Sequence, residues 1–272
     1  MWDGEGSIMK LLPISNIVST ALVFVLNIMA SMGLINNRTT GQLSDKLPNL
    51  FVPSGITFSI WSLIYTLLFL FVIRQAEGLL SKDSGGSMYL RKIGWFFVLS
   101  NIANSVWIFA WHYELVPVSL IFMVLLFVSL LAIYLRLGIG RSDTVMSRRE
   151  KLFFNTPFSV YLGWITVAAI ANVTAVLVWA RVRPYTQTTV IWTILVIIVA
   201  AVIGILMLWT RKDIAYGLVI IWALIGIVMK RLDPGYFREL TVATTAGITA
   251  LIVSMAVIVT LIHTRTISPS TR

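Results

Sequence analysis

Long apolar runs alternate with short polar connections along almost the whole chain. Eight can be marked, at residues 14–35, 51–73, 93–111, 115–135, 153–180, 188–209, 213–229 and 240–262. About 20 residues, rising 1.5 Å each, cross a hydrocarbon core about 30 Å thick, so runs of this length predict membrane-spanning helices. The pattern therefore predicts an all-α, polytopic membrane helix bundle of about eight transmembrane helices. The seventh run, about 17 residues between Asp213 and Lys230-Arg231, is short enough to be a re-entrant piece instead of a crossing. The first run exceeds the roughly 7–15 apolar residues of a signal core and reads as a retained helix.

Composition agrees with lipid as the solvent. Of 272 residues, 58% are hydrophobic and 12% charged, against about 45–50% and 25% in soluble domains, and mean hydropathy is +0.91. A water-soluble enzyme, a disordered chain and a disulfide scaffold are excluded. The chain has no cysteine, so disulfides, thiolate nucleophiles and iron-sulfur ligation are excluded as well.

The net charge of +10 is a topology signal before it is a nucleic-acid signal, and no nucleic-acid partner is expected. With connections on alternate sides, Arg38, Lys46, Arg181, Arg183, Lys230, Arg231 and Arg238 fall on one side, and the other 14 of the 21 Lys and Arg residues share the side of the two termini. Cytoplasmic loops carry the basic excess, so a multi-pass cell-membrane protein with both termini cytoplasmic is expected. On the poorer side, residues 36–52 form a polar stretch punctuated by Gly41 and Pro48, readable either as a plain linker or as a lid over a pocket.

No Asp, Glu, Lys, Arg or His falls in the middle of a run, which argues against an ion-coupled pump and against carboxylate acid-base catalysis. His112 and Glu114 lie close in sequence, but two ligands on a tight turn read as interfacial residues before they read as a metal site. No catalytic residue, metal site or required cofactor is expected, and the protein reads as a non-enzyme.

The interior instead holds neutral amides beside aromatics at helical spacing. Asn101, Asn104, Ser105, Trp107 and Trp111 follow steps of three and four in the third run, so Asn104, Trp107 and Trp111 share a face. Tyr161, Trp164, Ala168 and Asn172 do likewise in the fifth, Trp61 and Tyr65 lie one turn apart in the second, and Asn27 adds an amide to the first. A buried amide must find a partner, so these residues either glue helices together or bind a ligand. Asn172, eight residues past Trp164, is expected two turns deeper, at a cavity floor. Trp95, Trp179, Trp192 and Trp209 lie near run ends and read as an interfacial belt. Ala200, Gly204 and Gly247 offer small surfaces for close helix approach, within the chain or in a dimer.

These positions resemble the tryptophan-rich sensory protein, or translocator protein (TspO/MBR), family of five-helix membrane proteins. The resemblance covers residues 14–182. PSGITFSIWSLIY is similar to the family's proline-rich approach followed by Trp and, four residues on, Tyr, matched by Trp61 and Tyr65. NSVW resembles the family's LNxxW step at Asn104 and Trp107, and PFSVYLGWITVAAIAN matches its fifth helix at Pro157, Trp164, Ala168 and Asn172. The aromatic pair after the family's prolines is replaced here around Ile56 and Thr57, with Phe58 three residues before Trp61.

The resemblance implies a five-helix core at residues 1–182, an additional three-helix membrane segment at 183–272, and a pocket lined by Trp61, Tyr65, Asn104, Trp107, Tyr161, Trp164 and Asn172 under a 36–52 lid. It also implies a hydrophobic planar small molecule, tetrapyrrole- or lipid-like, as ligand, with membrane lipids as surroundings and a homodimer as an expected assembly. The expected role is a sensor, carrier or regulator. The alternatives are a facilitative transporter or export subunit without ion coupling, and a non-catalytic membrane partner subunit.

Overall fold

A computed structural model describes residues 4–80, 85–141 and 147–266. Its helices are α1 (Gly4–Ser31), α2 (Thr40–Asp45), α3 (Ile60–Leu80), α4 (Gly85–Ile93), α5 (Phe96–His112), α6 (Val116–Leu137), α7 (Arg148–Glu150), α8 (Thr156–Trp179), α9 (Gln187–Arg211), α10 (Ile214–Leu232) and α11 (Leu240–Thr266). A 3-10 turn, Gly55–Ser59, leads into α3, and a π-turn, Lys151–Asn155, joins α7 to α8. Pro157, at the second position of α8, has no N–H for the carbonyl four residues back, and the wider turn carries the helix through it. Of the basic residues counted for topology, Lys82 and Arg272 lie outside the described residues.

Seven of these helices are long and apolar enough to cross a membrane: α1, α3, α6, α8, α9, α10 and α11. The run expected to be doubtful, the seventh, is a continuous helix of 19 residues, so the re-entrant reading is replaced by a crossing. Lys230 and Arg231, expected as loop charges, form its last turn and are buried, where cations oppose the negative end of the helix dipole.

The remaining apolar run is α5, with 17 residues, about 25 Å long. Its neighbours decide its status. Glu114, just past its end, pairs with Arg38 and Lys46 from the α1–α3 connection, while Arg136, at the far end of α6, lies 4.8 Å over the ring of Phe96 at the start of α5. The two ends of α5 therefore lie at opposite faces of the bundle, and α5 supplies the eighth crossing. The connections 32–59, 113–115, 180–186 and 233–239 gather on one face, called the lid face below. The ends of α1 and α11 nearest the chain termini lie on the other.

Apolar side chains point both ways, as lipid allows. Phe71, Phe97 and Phe158 are fully buried and meet edge to face at 5.0–5.7 Å, while Ile121, Leu251 and Val259 are about two-thirds exposed on outer helix faces. The belt tryptophans Trp95, Trp179, Trp192 and Trp209 are exposed, two near each face. Amides fasten α1 in place: Asn16 Nδ2 donates to Gln75 Oε1 of α3 at 2.8 Å, and Asn101 Nδ2 of α5 donates to Ser19 and Thr20. The small-residue faces are used within the chain, for a Cβ on Gly204 would lie 3.2 Å from Ile220 of α10 and one on Gly247 would lie 3.9 Å from Val228.

α10 is held to the helices before it by Asp213. This buried carboxylate caps α10 through the N–H of Tyr216 and accepts from Tyr134 of α6 at 2.8 Å and Ser159 of α8 at 2.7 Å. A buried carboxylate is tolerated where donors replace its water, and Asp213 has three.

Candidate functional site

Residues 36–52 are a structured cover. Thr39 and Gln42 form a reciprocal capping box that starts α2, which tucks Leu43 and Ser44 inward. Asn49 Oδ1 accepts from the N–H groups of Phe51 and Val52, turning the chain toward Pro53 and α3. Polar ties fix the cover to α5: Asn36 Nδ2 donates to His112 O at 2.7 Å, Trp111 Nε1 donates to Thr40 O at 3.3 Å, and Glu114 accepts from Arg38 and Lys46. His112 and Glu114 thus part company. His112 is buried with Nδ1 at 2.8 Å from Ile108 O, Glu114 faces the lid, and the described residues contain no group of three metal-ligating side chains.

Beneath the lid lies a cavity of about 40 Å³ bounded by Thr40, Ser44, Val52 and Pro53 above and by Phe58, Trp61, Trp107, Trp111, Trp164, Val167, Ala168, Ala171 and Asn172 around it. Four of the seven expected site residues, Trp61, Trp107, Trp164 and Asn172, are on its wall. Tyr65, Asn104 and Tyr161 form a layer below it. There Asn104 Nδ2 reaches Tyr65 Oη at 3.0 Å and Tyr161 Oη at 2.8 Å, joining α5 to α3 and α8, and Tyr65 stacks on Trp61 with centroids 5.7 Å apart. Below that floor, toward the termini, comes the Phe71–Phe97–Phe158 cluster.

Two of the four ring pairs along the wall meet at steep angles, an arrangement their quadrupoles favour. Trp164 stands edge-on to Trp61 at 6.3 Å and to Phe58 at 5.8 Å, while Trp107 stacks parallel on Trp111 at 5.9 Å. Phe58 thus places a ring against Trp164 although the residues around it depart from the expected aromatic pair. Asn172 is at the lid end, correcting its expected place at the floor, because α8 climbs from the termini face to the lid face and its later residues are the shallower ones. It accepts from Trp107 Nε1 at 2.9 Å and donates to Ser119 Oγ at 3.0 Å. Asn27 is not at the cavity. It donates to Val23 O of its own helix and borders a lipid-facing groove of about 550 Å³ between α1 and α3.

Among the described residues, Trp164 Nε1 is the one wall side-chain atom fully buried without a partner. A desolvated donor costs about 1–3 kcal/mol unless something accepts from it, and Trp164 borders the cavity.

A family profile described as TSPO-like protein matches residues 13–259, from within α1 to near the end of α11. The chain belongs to the TSPO-like protein family. It is a multi-pass integral membrane protein, and the match continues through α9, α10 and α11, beyond the five spans that carry the recognisable motifs. No curated protein and no solved structure matches the chain.

Several wall residues were not among the expected ones. Trp111 carried a signal, lying one turn beyond Trp107 on the same face. Ser44 and Thr40 did not, and neither did Ser119, which holds the wall residue Asn172 from behind, since a hydroxyl beside an apolar run signals nothing until a distant amide or indole is brought to it.

Proposed function

We propose that this TSPO-like protein binds a flat, hydrophobic small molecule, tetrapyrrole- or lipid-like, in the cavity under the lid, and acts as a sensor, carrier or regulator and not as an enzyme. The observation that carries the reading is the Trp164 indole N–H, buried and without an acceptor, on a wall whose other rings are those of Phe58, Trp61, Trp107 and Trp111. Aromatic faces supply apolar contact to a planar molecule, and one free donor would take an acceptor on its edge. At about 40 Å³ the cavity holds a few waters, whereas ligand pockets run to about 300–1,000 Å³, so binding requires the lid and the rings below it to move apart.

The packed floor favours binding over passage. The Asn104–Tyr65–Tyr161 layer and the phenylalanine cluster beneath it close the bundle toward the termini, which weighs against a facilitative transporter or export path through these helices. Residues 1–182 supply the whole cavity wall, and we read 183–272 as an added segment that supports it. The side of the termini, to which the alternation of the connections in the sequence gives 14 of the 21 basic residues, is read as cytoplasmic, which directs the lid outward.

The test is a titration of the purified protein with protoporphyrin while tryptophan emission is followed. Saturable quenching that an excess of a non-fluorescent planar competitor reverses supports the reading, and quenching that rises linearly without saturation removes it.

A further inference from the structure

One face of α10 is devoted to the roof of the cavity. Trp222, Gly226 and Lys230 follow at steps of four, which places them in a row, and each touches the lid or the segment that leads from it into α3. Trp222 Nε1 donates to Thr57 O at 2.9 Å, and Gly226 O accepts from the N–H of Ser54 at 3.0 Å. Gly226 is there because nothing larger fits. A Cβ at that position would lie 2.8 Å from Pro53 Cβ and closer still to the Thr57 hydroxyl. Lys230 Nζ then reaches Asp45, the last residue of α2, at 2.6 Å, and lies 4.9 Å over the ring of Tyr236, whose hydroxyl is 3.4 Å from the same carboxylate.

We propose that α10 is a clasp on the lid, and that the Lys230–Asp45 ion pair sets how readily the cavity opens. This rests on the reading of the cavity as the ligand site. The anchored positions are the ones that would have to move for a ligand to enter: Pro53 borders the cavity, Phe58 follows Thr57 directly, and Asp45 ends the lid helix whose Thr40 and Ser44 roof it. The pair is asymmetric. The Lys230 side chain is 6% exposed and that of Asp45 41%, so opening leaves the carboxylate in water and the buried ammonium, over the Tyr236 ring and next to Arg231, without its partner. That cost holds the lid shut at rest. Anything that shifts α10 relative to α3 would release it, which gives the last three helices a regulatory task that five helices alone could not perform.

The chain has no cysteine, so one can be introduced as a reporter. Val167 is buried and lines the cavity, and in Val167→Cys protein its labelling by a water-soluble methanethiosulfonate measures opening without any ligand. Lys230→Met on that background removes the buried charge and leaves Asp45 hydrated. It should speed labelling about tenfold or more, the loss of one charge-assisted hydrogen bond, whereas Lys230→Arg should stay near the parent rate. Asp45→Asn tests the pair from the lid side and should also label faster, so that a poorly folded Lys230→Met does not leave the matter open. Equal rates in the parent and in both charge-removing variants overturn the clasp, and so does fast labelling in Lys230→Arg, which would mean that fit and not charge holds the lid. If protoporphyrin fails to bind, these rates are unaffected, so failure of the ligand reading and failure of the clasp are told apart.

Discussion

The indole N–H of Trp107 donates to the amide oxygen of Asn172 across 2.9 Å, tying α5 to α8 at the lid end of the cavity. The same amide donates to Ser119 of α6, so three helices meet at one side chain that also lines the cavity wall. Wall and glue are therefore one structure here, and substitutions at this point move both.

Asn172→Leu strands the Trp107 indole N–H in an apolar setting, while the Ser119 hydroxyl keeps its bond to Val116 O. A loss of about 1–2 kcal/mol is expected, above the average of about 0.6 for a membrane interhelical hydrogen bond because a donor is left desolvated. Thermal unfolding in detergent measures it. A Trp107→Phe and Asn172→Leu double variant should lose less than the sum of the singles, since both remove the same bond, and full additivity would show that the two residues act apart.

Replacing Trp164 by Ala should weaken protoporphyrin binding by about 1–3 kcal/mol, the scale of a lost aromatic contact plus apolar burial. Trp209→Ala is the matched control. Trp209 is 73% exposed at the edge of the bundle, and its loss should leave affinity unchanged. Equal losses in both variants would mean that quenching reports partition into lipid.

Two glycines on the last helices should respond oppositely to a methyl group. Gly226→Ala drives a Cβ into Thr57 and Pro53 and should cost about 1–3 kcal/mol by overpacking. At Gly247 the nearest atom is 3.9 Å away, so Gly247→Ala should be neutral or slightly stabilising through better helix propensity. Melting temperatures of the two purified variants decide it, and a tolerated Gly226→Ala would show that α10 does not press on the segment leading into α3.

The topology can be read with single cysteines at two exposed positions, Arg183→Cys on the lid face and Arg149→Cys on the termini face. A membrane-impermeant maleimide on intact cells should label the first and leave the second unlabelled until the membrane is opened. The reverse pattern would invert the orientation inferred from the basic residues.

The crossings were legible because lipid sets a minimum apolar length for each, and even α5, the shortest crossing, still reads as an apolar run. The faces of α3, α5 and α8 were legible for a similar reason, since steps of three and four put Asn104, Trp107 and Trp111 on one side whatever they meet. What those faces meet was not. Asp213 read as the polar end of a run, and its bonds to Tyr134 and Ser159 join residues 79 and 54 positions away, a distance that no local spacing encodes. Asn172 stands at the lid end and not at the floor because α8 climbs toward the lid face, a direction that its spacing from Trp164 does not encode. Trp222, Gly226 and Lys230 form a row at steps of four, but nothing in the row announces a lid 185 residues earlier.

The most direct test of the central claim is to find where a planar ligand lands. A photoreactive porphyrin, cross-linked to the protein in nanodiscs and mapped by peptide mass spectrometry, should attach to the segments carrying Phe58, Trp61, Trp107 and Trp164, and an excess of protoporphyrin should suppress that attachment. Attachment confined to Phe24, Ile28 and Phe69, which border the lipid-facing groove between α1 and α3, would contradict a binding site beneath the lid.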